Sequence, residues 1–290
     1  MRPRVTLIGD VMLDVVTRPL GPVQATSDTV STTVVGRGGS AANAAVGLAR
    51  AGCDVTYVGA VGRDPAADVL RALFEAAGVA TRLQVVDAPT GVVVAIVDGS
   101  GQRAMFTSRG ANARLGEAHV ADALAEGADH VHVSGYTVLD ERTRGVARSA
   151  IEVARGRGTP VSVDACSVGP LRAMGASRFL DALAGATTIF ANEEEAVELG
   201  GGSLEVALSV LGNHVAEVVV TLGSRGALAL SDEGEVRVAA SSDVVLDTTG
   251  AGDAVTGAYL AARLQGSSRR AALETAMTAA AAVVSGLGAG

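Results

Sequence analysis

Short runs of consecutive apolar residues alternate along this chain with longer stretches in which apolar positions recur every three or four residues. The runs "VTLIG" (Val5–Gly9), "VTYVG" (Val55–Gly59), "HVHVSG" (His130–Gly135), "PVSVDA" (Pro160–Ala165), "TTIFAN" (Thr187–Asn192) and "EVVVTLG" (Glu217–Gly223) are too short for helices and too continuously apolar for half-exposed strands. They predict strands buried on both faces. Between them, helical spacing is found at Ser40–Ala51, Pro65–Ala77, Glu141–Arg155 and Glu193–Leu199. Strands alternating with helices predict βαβ units, and hence an α/β fold with a mainly parallel sheet covered on both sides.

Two stretches break this rhythm. "GVVVAIVDGSGQRAMFTSRGAN" (Gly91–Asn112) holds two β-rich runs around "DGSG", with no room for a helix, and predicts a hairpin. "SDTVSTTVVG" (Ser27–Gly36) predicts an extended strand, so the two pieces could form a small sheet beside the main one. Helices over Ala251–Leu264 and Arg269–Ser285 close the chain. No solenoid repeat or low-complexity linker divides it, so residues 1–290 are expected to form one domain.

Composition narrows the chemistry. Hydrophobic residues make up 48% but aromatic residues only 2%, so the core must be built from Ala, Val and Leu. A net charge of −8 argues against a nucleic-acid surface. Every basic residue is Arg, and the absence of Lys excludes a Walker A loop, the strand lysine of protein kinases and any lysine Schiff base. Cys53 and Cys166 are far apart and predict small buried hydrophobes rather than a disulfide. The opening "MRPRVTLIGDVML" reads as a first strand rather than a signal peptide, and no segment reaches membrane-spanning length. Residence in the cytoplasm is the expectation. The four histidines have no metal-like spacing, and His130 and His132, alternating on one strand, are expected to be structural.

Two glycine loops carry the candidate chemistry. In "DTTGAGDAVTGAYL" (Asp247–Leu260), glycines precede an Ala-rich helix, so the backbone N–H groups of Gly250, Ala251, Gly252 and Asp253 form an unpaired first turn suited to an anion. Asp253 within that turn could accept a proton from an attacking hydroxyl. It could equally be a simple favourable charge at a helix start, and the loop alone does not separate the two. In "GRGGSAANAAVGLARAG" (Gly36–Gly52), Gly38 and Gly39 permit close backbone approach before a helix, and Asn43 offers an amide to a polyhydroxylated ligand. Asp10 is expected as a turn or cap residue at the end of the first strand, and Asp14 as a group that accepts from sugar hydroxyls.

Together the two loops resemble the signatures of the ribokinase-like (PfkB) family of carbohydrate kinases. "VGAVGRDPAADVL", "NEEEA" and "TLGSRGAL" fall between them in matching order, so the resemblance spans essentially the whole chain. It implies a three-layer α/β/α sandwich around a mainly parallel sheet, with a β lid from about residues 12–36 and 90–110. It implies transfer of a phosphoryl group from ATP, with Mg²⁺, to a sugar hydroxyl. By the family pattern Asp253 is the base and Gly250, Ala251 and Gly252 the anion hole. Asn192 and Glu195 fall on an N-x-x-E motif associated with the phosphates and, through water, Mg²⁺. Thr221, Gly223 and Gly226 would border the nucleotide. Asp247 and Thr249 match positions that hold K⁺ in ribokinases, and Asp14, Gly38, Gly39 and Asn43 would face the acceptor.

Departures from ribokinase bear on that acceptor. Ser40 stands where a Lys is common, Met12 where an Asn is usual, and no Glu follows "HVHVSGYTV". Fewer polar contacts make plain ribose a poorer fit, and a single Arg37 near the first loop weakens a phosphosugar. Arg109 could pair with the carboxylate of a sugar acid, as in 2-keto-3-deoxygluconate-type kinases, while Arg103 is expected to be solvated. Met12, Phe106 and Tyr136 could instead pack on a nucleoside base, as in adenosine- or pseudouridine-type kinases, or could simply be core and lid packing. A non-catalytic binding protein would not need Asp253 with the N-x-x-E motif. A Rossmann oxidoreductase would need G-x-G-x-x-G where "IGDVMLD" stands. Exposed lid edges invite homodimerisation.

Overall fold

The computed structural model describes residues 1–98, 103–241 and 250–284. Thirteen strands appear in chain order: β1 (Arg4–Ile8), β2 (Met12–Pro19), β3 (Ser31–Gly38), β4 (Asp54–Val61), β5 (Ala80–Val85), β6 (Gly91–Val97), β7 (Arg103–Ser108), β8 (His130–Val133), β9 (Val161–Asp164), β10 (Thr188–Asn192), β11 (Glu217–Thr221), β12 (Ala227–Ser231) and β13 (Gly234–Val238). Nine of them form one sheet in the order β13-β12-β11-β10-β9-β8-β1-β4-β5, parallel from β11 to β5 with an antiparallel edge at β12 and β13.

Continuous apolar strands serve both faces of that sheet. Ile8, Val133, Val218 and Val220 join a core on one side, packed under helices such as Arg144–Gly156. Leu7, Tyr57 and Val219 join a second core on the other side, under Ser40–Arg50, Pro65–Ala76, Ala251–Leu264 and Arg269–Val284. Alternate residues of one strand therefore face different cores, which is why the predicted runs lack a polar side. His130 and His132 share the Ser162 hydroxyl at 2.8 and 2.9 Å, and burial drives the His130 pKa down to about 3. Both are neutral structural groups, as expected.

The second sheet, in the order β3-β2-β6-β7, is the lid. It joins the expected hairpin to two antiparallel strands, Met12–Pro19 and Ser31–Gly38, and the strand read over Ser27–Gly36 begins at Ser31. The hairpin itself ends at Ser108, because "GANAR" (Gly110–Arg114) winds into a 3₁₀ helix. The helix expected over 141–155 starts later, at Arg144, after a separate short helix Gly135–Leu139. Strands β5, β12 and β13 were not among the predicted strands. β5 and β13 are half-exposed edge strands, so they lack the continuous apolar signature. The outer end of the final predicted helix, Ser285, lies outside the described residues. Among the described residues, no helix is long and apolar enough to cross a membrane.

Candidate active site

Because the strands are parallel, their C-terminal ends reach one edge of the sheet, where loops lead into helices. A cavity of about 920 Å³ opens there, between that edge and the lid. Asp10 follows β1, Asp164 ends β9, Asn192 ends β10 and Thr221 ends β11, and all four line the cavity.

The helix Ala251–Leu264 begins at this edge. Gly250 precedes it in the left-handed region, at φ 77°, and no side chain caps the first turn. Among the described residues, a Cβ on Gly252 would meet nothing within 4 Å, and Gly250, Ala251 and Gly252 all line the cavity. Asp253 lies in this turn and accepts from Asn43 Nδ2 at 2.9 Å. Burial pushes its pKa up to about 6, against the opposing hydrogen bonds of Asn43 and Ser40. A carboxylate with that pKa is ionised near neutral pH, yet basic enough to take a proton from a hydroxyl.

Asp14 approaches from the lid strand β2. Its Oδ1 is buried without a hydrogen-bond partner, and burial raises its pKa to about 6, with Arg37 opposing. A buried unpartnered acceptor at a cavity wall suits a ligand hydroxyl. The glycines of the first loop stand at points of close approach. A Cβ on Gly38 would lie 2.0 Å from Asp14 Oδ1, and one on Gly39 would lie 2.1 Å from the Asp10 carbonyl. They make room for protein groups. Gly39 lines the cavity, and Asn43 reaches Asp253 rather than pointing only at a ligand.

Asn192 and Glu195 form a reciprocal capping box: Glu195 N donates to Asn192 Oδ1 at 2.8 Å, and Asn192 N donates to Glu195 Oε2 at 2.9 Å. Glu195 is buried, lines the cavity, and has its pKa raised chiefly by that burial. Gly223, at φ 61°, borders open space. Gly226 also lines the cavity, at the turn from β11 into β12, where a Cβ would meet the Val238 carbonyl at 2.0 Å. Asp247 and Thr249 lie outside the described residues, as does the side chain of Arg103.

Three residues depart from their expected surroundings. Asp10 caps nothing: it is buried and takes a bidentate pair from Arg109, Nε to Oδ2 and Nη2 to Oδ1, both at 2.6 Å. The third arm of Arg109, Nη1, donates to Asp140, whose pKa is held down at about 2 by Arg142 first, with Arg109 adding to it. Cys166 is half-buried rather than buried; it lines the cavity at φ 68°, uncommon for a residue with a Cβ.

Asp164 and Asn112 were missed. Asp164 accepts from Gly135 N at 2.5 Å and from the Ser40 hydroxyl. A carboxylate directly after "VSV", at the C-terminal end of a parallel strand, was the available signal. Asn112 bonds both Val11 N and Val11 O, at 2.9 and 2.8 Å. No group of three or more His, Cys, Asp or Glu residues among the described ones could hold a metal by itself.

Comparison with known proteins matches this geometry to a family. The model of the pfkB family carbohydrate kinases covers residues 2–290. An ATP-dependent ribose-1-phosphate kinase from Halopiger xanaduensis is 33% identical over 242 residues, covering 82% of this chain and 77% of that protein. The bifunctional protein HldE of a Caulobacter species is 31% identical across 98% of this chain, which spans only 60% of that longer relative. The crystal structure of adenosine kinase from Sinorhizobium meliloti superposes with a TM-score of 0.87, at 25% identity, over 100% of this chain and 96% of that one. The fold is ribokinase-like, and the chain belongs to the pfkB family of carbohydrate kinases, phosphotransferases that use an alcohol group as acceptor.

Proposed function

We propose that this protein transfers the γ-phosphoryl group of ATP, with Mg²⁺, to a hydroxyl of an uncharged sugar or sugar-like acceptor, with Asp253 as general base. The carrying observation is the placement of Asp253. Its carboxylate, raised to about 6, lies in the uncapped first turn of a helix at the head of a large cleft. In this reading the N–H groups of Ala251 and Gly252, following Gly250, offset charge on the transferring group. Asp253 takes the hydroxyl proton as the new P–O bond forms.

The residues present fit the nucleotide and the metal. Thr221 and Gly223 border open cleft beside Asn192. Glu195, buried at the cavity wall, is the carboxylate that would hold Mg²⁺ through water, an ion that keeps several waters and leans on phosphate oxygens. When bound, Mg²⁺ neutralises charge on the phosphates. For K⁺, Asp247 and Thr249 remain the proposed residues.

Asp14, with its unpartnered oxygen, is the proposed grip on acceptor hydroxyls, beside Gly39 and Asn43. Arg109 is the only cationic side chain among the described residues lining the cavity, and two carboxylates already take up its charge. That supports an uncharged acceptor over a sugar acid or a sugar phosphate. A nucleoside is the second reading, because Met12, Val93, Met105 and Tyr136 give the cleft an apolar wall suited to a base.

An ADP-release assay across neutral pentoses and hexoses, nucleosides, sugar acids and sugar phosphates, with and without K⁺, tests the proposal. Turnover confined to anionic acceptors would overturn the assigned substrate class. Tight ATP binding with no turnover on any acceptor would overturn the catalytic reading. The lid carries Val34, Val35, Met105 and Phe106, each more than half exposed, which supports pairing of two copies through the lid. Sedimentation at micromolar concentration tests it.

A further inference from the structure

Arg37, at the end of lid strand β3, is buried to 8% exposure. Its guanidinium carbon sits 5.7 Å from the centre of the Phe74 ring, and its Nη2 donates to Asn43 Oδ1 at 3.2 Å. The other end of the same amide, Asn43 Nδ2, donates to Asp253 Oδ2 at 2.9 Å. The three side chains thus form a line from the lid, through the first glycine loop's helix, to the helix that starts at Gly250.

The chemistry of the line permits one arrangement. A guanidinium has only donors and a carboxylate only acceptors, so Asn43 can satisfy both only with its oxygen toward Arg37 and its NH₂ toward Asp253. Without Arg37, the amide could rotate and present an oxygen to a carboxylate, which would repel it. Burial on Phe74 also holds the guanidinium in place and keeps its charge weakly screened. Arg37 is absent from the cavity wall, so it is not placed to read a substrate.

We propose that Arg37 is a positioning residue for the reaction: it fixes the Asn43 amide and, through it, the orientation of the Asp253 carboxylate. This rests on the reading of Asp253 as the base. The groups facing Asp253 are Asn43, Ser40, Asp164 and Arg37, of which Arg37 alone carries positive charge. Those facing Arg37 are Asp14, Asp253, Tyr57 and Arg50.

The test is steady-state kinetics between pH 5 and 8.5 on wild type, R37K, R37M, N43A, the double variant R37M/N43A and D253N, with thermal melts on each. Loss of the amide's orientation is expected to lower kcat of R37M by about 10- to 100-fold with the KM for ATP unchanged. The acid limb of its rate profile should move up by about half a unit to one unit, since a positive charge that favours the ionised carboxylate is gone. R37K keeps the charge, so its acid limb should stay near that of wild type while kcat recovers only in part. The double variant should be no slower than N43A alone, because both changes break the same line. If R37M does not fold, R37K and its pairing with N43A supply the same comparison. An inactive D253N beside an R37M or R37K of wild-type kcat and acid limb would overturn the Arg37 proposal and leave the base in place. Losses that multiply in the double variant would overturn it as well. A D253N with wild-type turnover would remove the base and the positioning role together.

Discussion

The two sheets of this molecule are made of similar residues but live in different surroundings. In the large sheet, Leu7 and Ile8 are both 0% exposed, because helices cover each face. In the lid, neighbouring residues Val34 and Val35, midway along edge strand β3, are 61% and 54% exposed, because no second layer among the described residues covers them. Alternation within a strand cannot bury both neighbours unless two layers pack on the sheet. The contrast carries over to function. The proposed base and phosphoryl cradle stand on the packed body, whereas Asp14 and the apolar wall stand on the thinner sheet.

What joins the two is a compact set of contacts at the lid's root. Arg109 and Asn112 follow the last lid strand and clasp Asp10 and Val11, which precede the first. A lid with few packed layers has low local stability, so its position over the cleft depends on such ties.

The comparison can be broken most severely in the body. Asp253→Asn should lower turnover by about a thousandfold or more, with the fold retained and ATP-analogue binding nearly unchanged, read by kinetics and calorimetry. Packing should follow the same divide. Leu7→Ala, in the covered sheet, should cost about 2–5 kcal/mol in denaturant melts, whereas Val34→Ala should change stability by about 0.5 kcal/mol or less.

The join comes next. Arg109→Ala strands the buried Asp10 carboxylate, while Asp140 keeps Arg142, and should cost about 3 kcal/mol. It should raise the acceptor KM by about tenfold while leaving the ATP KM alone, as expected for a displaced lid. A loss limited to acid-bearing acceptors would show instead that Arg109 reads substrate charge.

The smallest effect sharpens the lid's role. With a folded pKa of about 6, above the ordinary value of 3.8, Asp14 binds its proton more tightly in the native state than in the unfolded chain. Its contribution favours the fold fully below about 3.8 and is lost as pH rises through about 6. Asp14→Asn should therefore raise the melting temperature at pH 7 by a few degrees, lose that gain below pH 4, and weaken acceptor binding. An unchanged melting temperature at both pH values would show that Asp14 is better solvated than its burial implies.

The body of the fold was legible because parallel strands covered on both sides must be apolar at every position. The lid was legible because "DGSG" leaves no room for a helix. β5 and β13 escaped notice because half-exposed edge strands have no such run. Within the site, the residues of each glycine loop could be named, but their partners could not. Gly38 and Gly39 were read as points of close approach, but that they admit an Asp14 carboxylate and an Asp10 carbonyl could not be read from the sequence.

By itself the sequence determined the layered α/β architecture, the helix start that leaves Gly250–Asp253 uncapped, and the family. The first two are local properties, set by hydrophobic period and by glycine's tolerance of positive φ, and the family follows from the resemblance of motifs in a matching order. Only the tertiary structure decided that Asp10 meets Arg109 across 99 positions and that Asn43 meets Asp253 across 210. It also decided that Arg109 is already paired with Asp10 and Asp140, and that Arg37 donates to Asn43. Such pairings depend on which strand ends the sheet order brings together, and no periodicity along the chain records that order.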